Sequence, residues 1–466
     1  MKRRLSFNYF AHITPSHESH GFWRHPDGRH IVEDYNQLEP WVELAKSCEA
    51  GFFDTIFIGD TLGPYDKYQN SQYHTIRSGM QFPGSDPSVL VSALALATRH
   101  LGFVVTSSIL QAHPFEFARR MSTLDHLTKG RVGWNIVTSY LETAASNMGI
   151  RTLPEHDLRY EMAEDYLDVV YKLWESSWAD NSVVADAAAN ILFDPALVRP
   201  IDHEGPYYRC SGPHMSEPSP QRTPVLYQAG GSPRGKRFAG KHAEVSFLGA
   251  QTVGMASHEV LELAARAVEA GRAASDLLSL VLIAPIIGGT EEEALRKQRE
   301  LREWADYDAI MCFLAVAKPA LADVDPDKTL EQVLPDLSTR LDAAWYGMLA
   351  GVPDKSVRFR DFVIDSFLPA GRHAGTPEQI ADIVENWAET GATGFNVVPV
   401  KTLGWADEWV EHVVPVLQKR GLLQTEYAEG SLRNKLFGRG ARLPDTHMAR
   451  NMTIGMASDD RVAVVS

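Results

Sequence analysis

Short apolar runs alternate with amphipathic stretches along most of the chain. Residues 5–10, 53–58, 101–106, 131–137, 223–227, 245–248, 278–287 and 394–400 read as buried strands. Between them lie helical patterns at 37–50, 114–127, 159–178, 236–242, 258–270, 291–304 and 405–420. Local punctuation supports these boundaries. Gly51 suits the C-terminus of a helix, and Asp86-Pro87 and Thr376-Pro377 pair a capping side chain with proline at the first helical position.

Eight strands, most of them followed by a helix, predict parallel α/β architecture and, by their number, a (β/α)8 TIM-type barrel. A doubly wound open sheet is the alternative. No GxGxxG follows the first strand, which argues against a dinucleotide-binding unit. Two stretches break the rhythm and read as insertions, at about 179–222 and 305–370. The expected organisation is one barrel domain over 1–436 and a polar C-terminal tail over 437–466, the polar character setting in from 421.

Composition narrows the function classes. Of 466 residues, 44% are apolar and 23% charged, as in an ordinary globular protein, and the net charge of −15 disfavours a nucleic acid or an anionic membrane as partner. Cys48, Cys210 and Cys312 lie far apart, so neither a disulfide framework nor a structural zinc site is expected. The basic N-terminus has no apolar stretch behind it, and no apolar run is long enough to cross a membrane. A soluble cytoplasmic protein is expected.

In such a barrel, chemistry collects at the C-terminal ends of the strands. Here those ends are rich in small, hydroxylated, His and Asn residues. The strongest feature is Gln228-Ala229-Gly230-Gly231-Ser232-Pro233-Arg234-Gly235, a glycine-rich turn between strand and helix. Free backbone N–H groups, the helix N-terminus, the Ser232 hydroxyl and the Arg234 charge together suit a phosphate. A plain turn is the competing reading. Barrel phosphate sites usually follow strands seven and eight, whereas this loop follows the fifth.

Glu155-His156-Asp157-Leu158-Arg159-Tyr160 opens the long helix. Asp157 is expected to cap it and Arg159 to serve the same anion, with a cap among solvated charges as the alternative. Asn135 sits inside an apolar strand, where an amide must be hydrogen-bonded or face a ligand. Thr106, at the end of the third strand, carries less weight. The first loop holds His12, His17, His20 and His25 beside Trp23 and Arg24. Their irregular spacing, with Glu18 as the one carboxylate among them, argues against a metal site and for proton transfer or substrate contact. No GxSxG, HExxH or Walker A pattern is present.

Taken in order, several motifs resemble one family. They are Trp23-Arg24-His25, Phe53-Asp54-x-x-Phe57-x-x-Asp60, the run from Thr123 to Ser139 with Gly130-Arg131-Val132-x-Trp134-Asn135, His156-Asp157-x-Arg159-Tyr160 and Gln228-Ala229-Gly230-x-Ser232-x-Arg234-Gly235. The chain resembles the bacterial luciferase-like two-component FMN-dependent monooxygenases, in the nitrilotriacetate/dibenzothiophene-sulfone monooxygenase branch, over roughly residues 5–440. Residues 1–140 and 217–224 are especially similar to dimethyl-sulfide monooxygenase members of that branch.

The resemblance implies a TIM-type barrel, FMN as cofactor, and reduced flavin (FMNH2) supplied by a separate NAD(P)H:flavin reductase. It also implies a homodimer or homotetramer. Position by position it assigns Asp60, Thr106, Asn135, His156, Tyr160, Gly231, Ser232 and Arg234 to flavin contact, and it eases the strand-number tension because the family holds phosphate near the fifth strand. Asn135, Thr106, His17 and His20 become the expected catalytic residues, with no metal. A further histidine that some members carry in the second insertion is missing from residues 308–318. The expected reaction is oxidation of a small sulfur- or nitrogen-bearing molecule with C–S or C–N cleavage. Alkane or aromatic oxidation, or a deazaflavin-dependent oxidoreductase on the same barrel, are the alternatives.

Overall fold

The computed structural model describes residues 4–368 and 371–452. The last part of the expected tail, 453–466, and the end of the second insertion, 369–370, lie outside the described residues. Eight strands form a closed barrel: β1 Ser6–His12, β2 Thr55–Gly59, β3 Gly102–Ser108, β4 Val132–Val137, β5 Val225–Gln228, β6 Val245–Phe247, β7 Leu278–Ile283 and β8 Gly394–Val397. Each strand neighbours its predecessor in sequence, and β8 returns to β1. The registered pairs are parallel, as between β1 and β2 and between β3 and β4. Closure excludes the open sheet.

Most helices follow the expected places; one, Tyr307–Ala317, lies inside the second insertion where none was expected, and the helix read over 258–270 begins at Val253. α1 is Leu38–Ala50, α2 Pro87–Ala97, α3 Pro114–Leu127, α4 His156–Tyr171, α5 Pro233–His242, α6 Val253–Glu269, α7 Glu291–Glu303, α8 Tyr307–Ala317 and α9 Pro377–Ala388. The expected caps form. The Asp86 carboxylate accepts from the Ser88 N–H, and the Thr376 hydroxyl accepts from the Gln379 N–H.

Several expectations need correction. The apolar run 278–287 is two strands, because Pro285 carries no N–H for a barrel ladder. Its second part, Pro285–Ile287, pairs instead with His373–Gly375, and the Ala284 N–H donates to His373 Nδ1. The long helix starts at His156 rather than 159, and α5 starts at Pro233 rather than 236. Asp157 is not the cap of α4. Glu155 holds that position without a side-chain cap bond, and Asp157 instead lies 2.6 Å from His156 Nδ1.

The chain divides into two compact units. The first comprises Met1–Leu101, Ser139–Leu153 and Val281–Glu426; the second comprises Gly102–Thr138, Pro154–Leu280 and Tyr427–Ser466. In the first unit, the second insertion is helical, with α8 and the helices Leu330–Leu337 and Phe359–Phe367, and its buried Ile310, Leu314, Leu334, Phe359 and Val363 share one apolar core with Phe22, Tyr65, Met80 and Leu141. In the second unit, Trp134 packs among Phe117, Tyr166 and Trp174. The Gly430-Ser431-Leu432-Arg433 segment is anchored there by charge. Arg433, buried, donates through Nε to Glu244 Oε1 at 2.6 Å and through Nη2 to Glu244 Oε2 at 2.8 Å, and also to the Thr223 carbonyl. The first insertion forms two small hairpins, Val183–Asp186 with Ile191–Phe193 and His203–Glu204 with Arg209–Cys210.

Candidate active site

Strand geometry decides which polar side chains meet. Successive residues of a strand face opposite sides, and parallel neighbours in register share a side. Thr106 and Asn135 are register partners on β3 and β4, and Asn135 Nδ2 donates to Thr106 Oγ1 at 3.1 Å. Both are buried, and Asn135 Oδ1 has no hydrogen-bond partner. The amide therefore keeps one strong acceptor aimed at no protein group. A buried acceptor of this kind is costly unless something arrives to meet it.

In the same unit, the turn between β5 and α5 has the form that the motif predicts. Ser232 caps α5, its hydroxyl accepting from the Gly235 N–H at 3.0 Å. Tyr160, one turn into α4, is buried, with its hydroxyl facing Gly235. A Cβ at Gly235 would come within 2.7 Å of that oxygen, so the glycine is what lets the ring in. The Arg234 guanidinium lies 5.4 Å from the centre of the Tyr160 ring and 3.5 Å from Glu164 Oε1. A Cβ at Gly231 would meet nothing within 4 Å, so the backbone there is open to approach. His156 is exposed and stacks its ring edge-on to Tyr160 at 5.2 Å. Gln228, at the end of β5, is buried with Oε1 unpartnered. It is part of the sequence motif, which gave it no role of its own.

The histidines and Asp60 lie in the first unit. His12 ends β1 beside its register partner Gly59, where any Cβ would strike the imidazole at 2.4 Å. His17 is buried with both ring nitrogens unpartnered, and its ring lies 5.4 Å from that of His12. Burial, with the nearby His12 adding, pushes His17 down to about 3, so the ring is neutral at physiological pH. His20 is also buried with Nδ1 unpartnered, and burial lowers it too. Glu18 Oε1 stands 3.4 Å from His12 Nε2 and accepts from Gln81 Nε2 at 3.1 Å. Burial by itself would raise Glu18, but the His12 hydrogen bond and the surrounding imidazoles bring it down to about 2.

Gln81 accepts from the Tyr65 hydroxyl at 2.9 Å, and Tyr65 meets Tyr140 at 2.7 Å. Sequence reading missed Glu18, Gln81 and Tyr65 as a connected group, because the three come from separate loops. His25 does not join them: it pairs with Glu300 at 3.0 Å and stacks on Phe22. Asp60 follows β2 directly, and burial, reinforced by Asp86, pushes its carboxyl up to about 6.

The closed eight-stranded parallel barrel sets the class of protein, and the comparisons with known proteins agree. Residues 16–394 match the family described as luciferase-like monooxygenase. The chain is 40% identical to the long-chain alkane monooxygenase of Geobacillus thermodenitrificans, over 96% of this chain and 98% of that protein. It is 39% identical to the dimethyl-sulfide monooxygenase of Hyphomicrobium sulfonivorans, over 99% and 96%. The crystal structure of DmoA from Hyphomicrobium sulfonivorans superposes with a TM-score of 0.89 at 38% identity, covering 96% of this chain and 95% of that one. The chain belongs to the luciferase-like monooxygenase family. It is an enzyme of that family, a flavin-dependent monooxygenase, and its kin include the sulfur-substrate branch that the motifs resemble. Among the described residues, no helix is long and apolar enough to cross a membrane.

Proposed function

We propose that this protein is the oxygenase component of a two-component system, using FMNH2 from a separate NAD(P)H:flavin reductase and O2 to oxidise a small organic sulfur- or nitrogen-bearing substrate with C–S or C–N cleavage. One observation carries the reading: Asn135 Oδ1, buried and unpartnered, beside the Thr106 hydroxyl that its own amide holds in place. The residues present fit a flavin mononucleotide. Ser232, Arg234 and Tyr160, with the open backbone at Gly231, suit its phosphate. Gln228, Asn135 and Thr106 offer polar groups of the kind a ring edge needs. His156 flanks Tyr160, and the resemblance adds Asp60 to the same cofactor.

When bound, reduced flavin supplies the electrons that activate O2. The chain's own residues do the rest. Ser232 and Arg234 fix the phosphate end, so that the reactive end cannot wander. Thr106 and Asn135 present small neutral groups on a rigid sheet, where their orientation costs nothing at the moment of reaction. His17, buried with both ring nitrogens free, is placed to relay a proton, with His20 as its companion.

A polar substrate fits this chemistry better than a hydrocarbon. Laying a long alkyl chain against the buried His17 imidazole would leave both of its nitrogens without partners. The similar identity to an alkane monooxygenase keeps alkane oxidation as the second reading. We further propose that the chain works as a homodimer or homotetramer; a monomer in light scattering at assay concentration would rule that out.

The test is a substrate screen with FMN, NADH and a generic flavin reductase, read by mass spectrometry. The expected result is an oxygenated product or a released fragment from an organosulfur or amine substrate, formed only in air. Turnover without oxygen would sink the monooxygenase mechanism and favour a deazaflavin-type oxidoreductase. Products from alkanes alone would move the assignment to the second reading.

A further inference from the structure

The histidine-rich first loop was expected to hold no metal, because its spacing matches no ligand pattern. Folding changes the case. His12, His17 and Glu18 place three ligand atoms within 4.8 Å of one another. A zinc ion with its ligands at about 2.0–2.1 Å sets tetrahedral neighbours roughly 3.3 Å apart. The His12 Nε2 to Glu18 Oε1 distance of 3.4 Å already matches that spacing. His17 needs only a modest ring rotation or shift to join, and neither of its nitrogens has a partner to give up. Gln81 Nε2, 3.1 Å from Glu18 Oε1 and 3.4 Å from His12 Nε2, borders the site and leaves the fourth position to water.

We propose that His12, His17 and Glu18 form a binding site for a divalent first-row transition ion of the Zn2+ type, and that occupancy of this site inhibits the enzyme. Two imidazoles and one carboxylate are a donor set that such ions accept. A bound ion takes the His17 lone pair. The inhibitory half of the proposal therefore rests on the proton-transfer role assigned to His17 above; the binding half does not.

Titration of the full chain with Co2+ and Zn2+ tests the binding half without any turnover. The expected result is one ion per chain, with the visible absorption bands of histidine-ligated Co2+. His17→Gln and Glu18→Gln should each weaken binding by at least about tenfold, the scale already seen when mere outer-shell partners of a metal site are removed. Far-UV circular dichroism on both variants checks that they fold, and His12→Gln replaces either one that does not. Absence of stoichiometric binding, or equal affinity in folded variants, overturns the site. Steady-state assays with wild-type enzyme then test the second half: added Zn2+ should abolish turnover and a chelator should restore it. Tight binding with full activity would overturn the inhibition and, with it, the proton-transfer role of His17.

Discussion

Asn135 stands in a strand whose neighbours Trp134 and Ile136 are apolar and buried, and its amide would be a liability there without partners. Half of the amide is satisfied by Thr106 and half is left open, which is the division a ligand-facing side chain should show. Asn135→Ala is expected to retain FMN binding, measured by fluorescence quenching, while kcat for oxygenation falls by about two orders of magnitude or more, as for loss of one preorganised polar group. Unchanged kcat would remove Asn135 from the chemistry.

Asp60 makes a different prediction at the same scale. Its carboxyl is raised to about 6 by burial first and Asp86 second. An acid raised on folding contributes stability that is fully present below its unfolded pKa, near 4, and is lost as pH rises through about 6. Asp60→Asn, which cannot ionise, should therefore be more stable than the wild type at about pH 8, by up to ~3 kcal/mol. The difference should vanish near pH 4. Thermal melts of flavin-free protein at the two pH values check this, and a gap of the opposite sign would refute the burial argument.

At the level of elements, the β5–α5 connection combines three ordinary devices: a strand end, a serine cap and a helix N-terminus. Together they suit an anion, because the free N–H groups and the helix dipole point the same way. Ser232→Ala with Arg234→Ala should weaken FMN binding, each lost bond to the phosphate being worth on the order of 1.5–3 kcal/mol. Unaltered affinity in a fluorescence titration would refute the assignment.

The alternation of apolar runs and amphipathic helices was legible because period-2 and period-3.6 patterns follow from backbone geometry alone. Element ends were less so. The second part of the run 278–287 pairs with a remote segment, as in the Ala284 N–H to His373 bond, and α4 begins at His156 with no side-chain cap to mark it. The helical make-up of the second insertion was equally hidden: its packing partners include Phe22, Tyr65, Met80 and Leu141, remote in sequence, and no strand rhythm marks it.

For the whole molecule, a closed barrel with no dinucleotide-binding turn after its first strand suits a division of labour with a reductase. Reduced FMN generated by any source, enzymatic or chemical, should then support product formation, with the coupling ratio set by how fast free reduced flavin is lost to oxygen. A strict need for NADH with this chain alone, and no reductase, would contradict the two-component arrangement; coupled product and NADH assays distinguish the cases.

What the sequence determined by itself was the architecture, the glycine-rich turn before α5 and the roster of polar residues at the strand ends. Those follow from periodicity, turn chemistry and residue type, which act over a few neighbours. Tertiary structure decided the company each residue keeps. Parallel register set Asn135 against Thr106, and α4 placed Tyr160 over Arg234. The turn after β1 folded His17 and Glu18 back on His12 while leaving His25 to Glu300. Distances between groups that are remote or irregularly spaced in sequence are set by the packing of the elements that carry them, and spacing along the chain holds no measure of that.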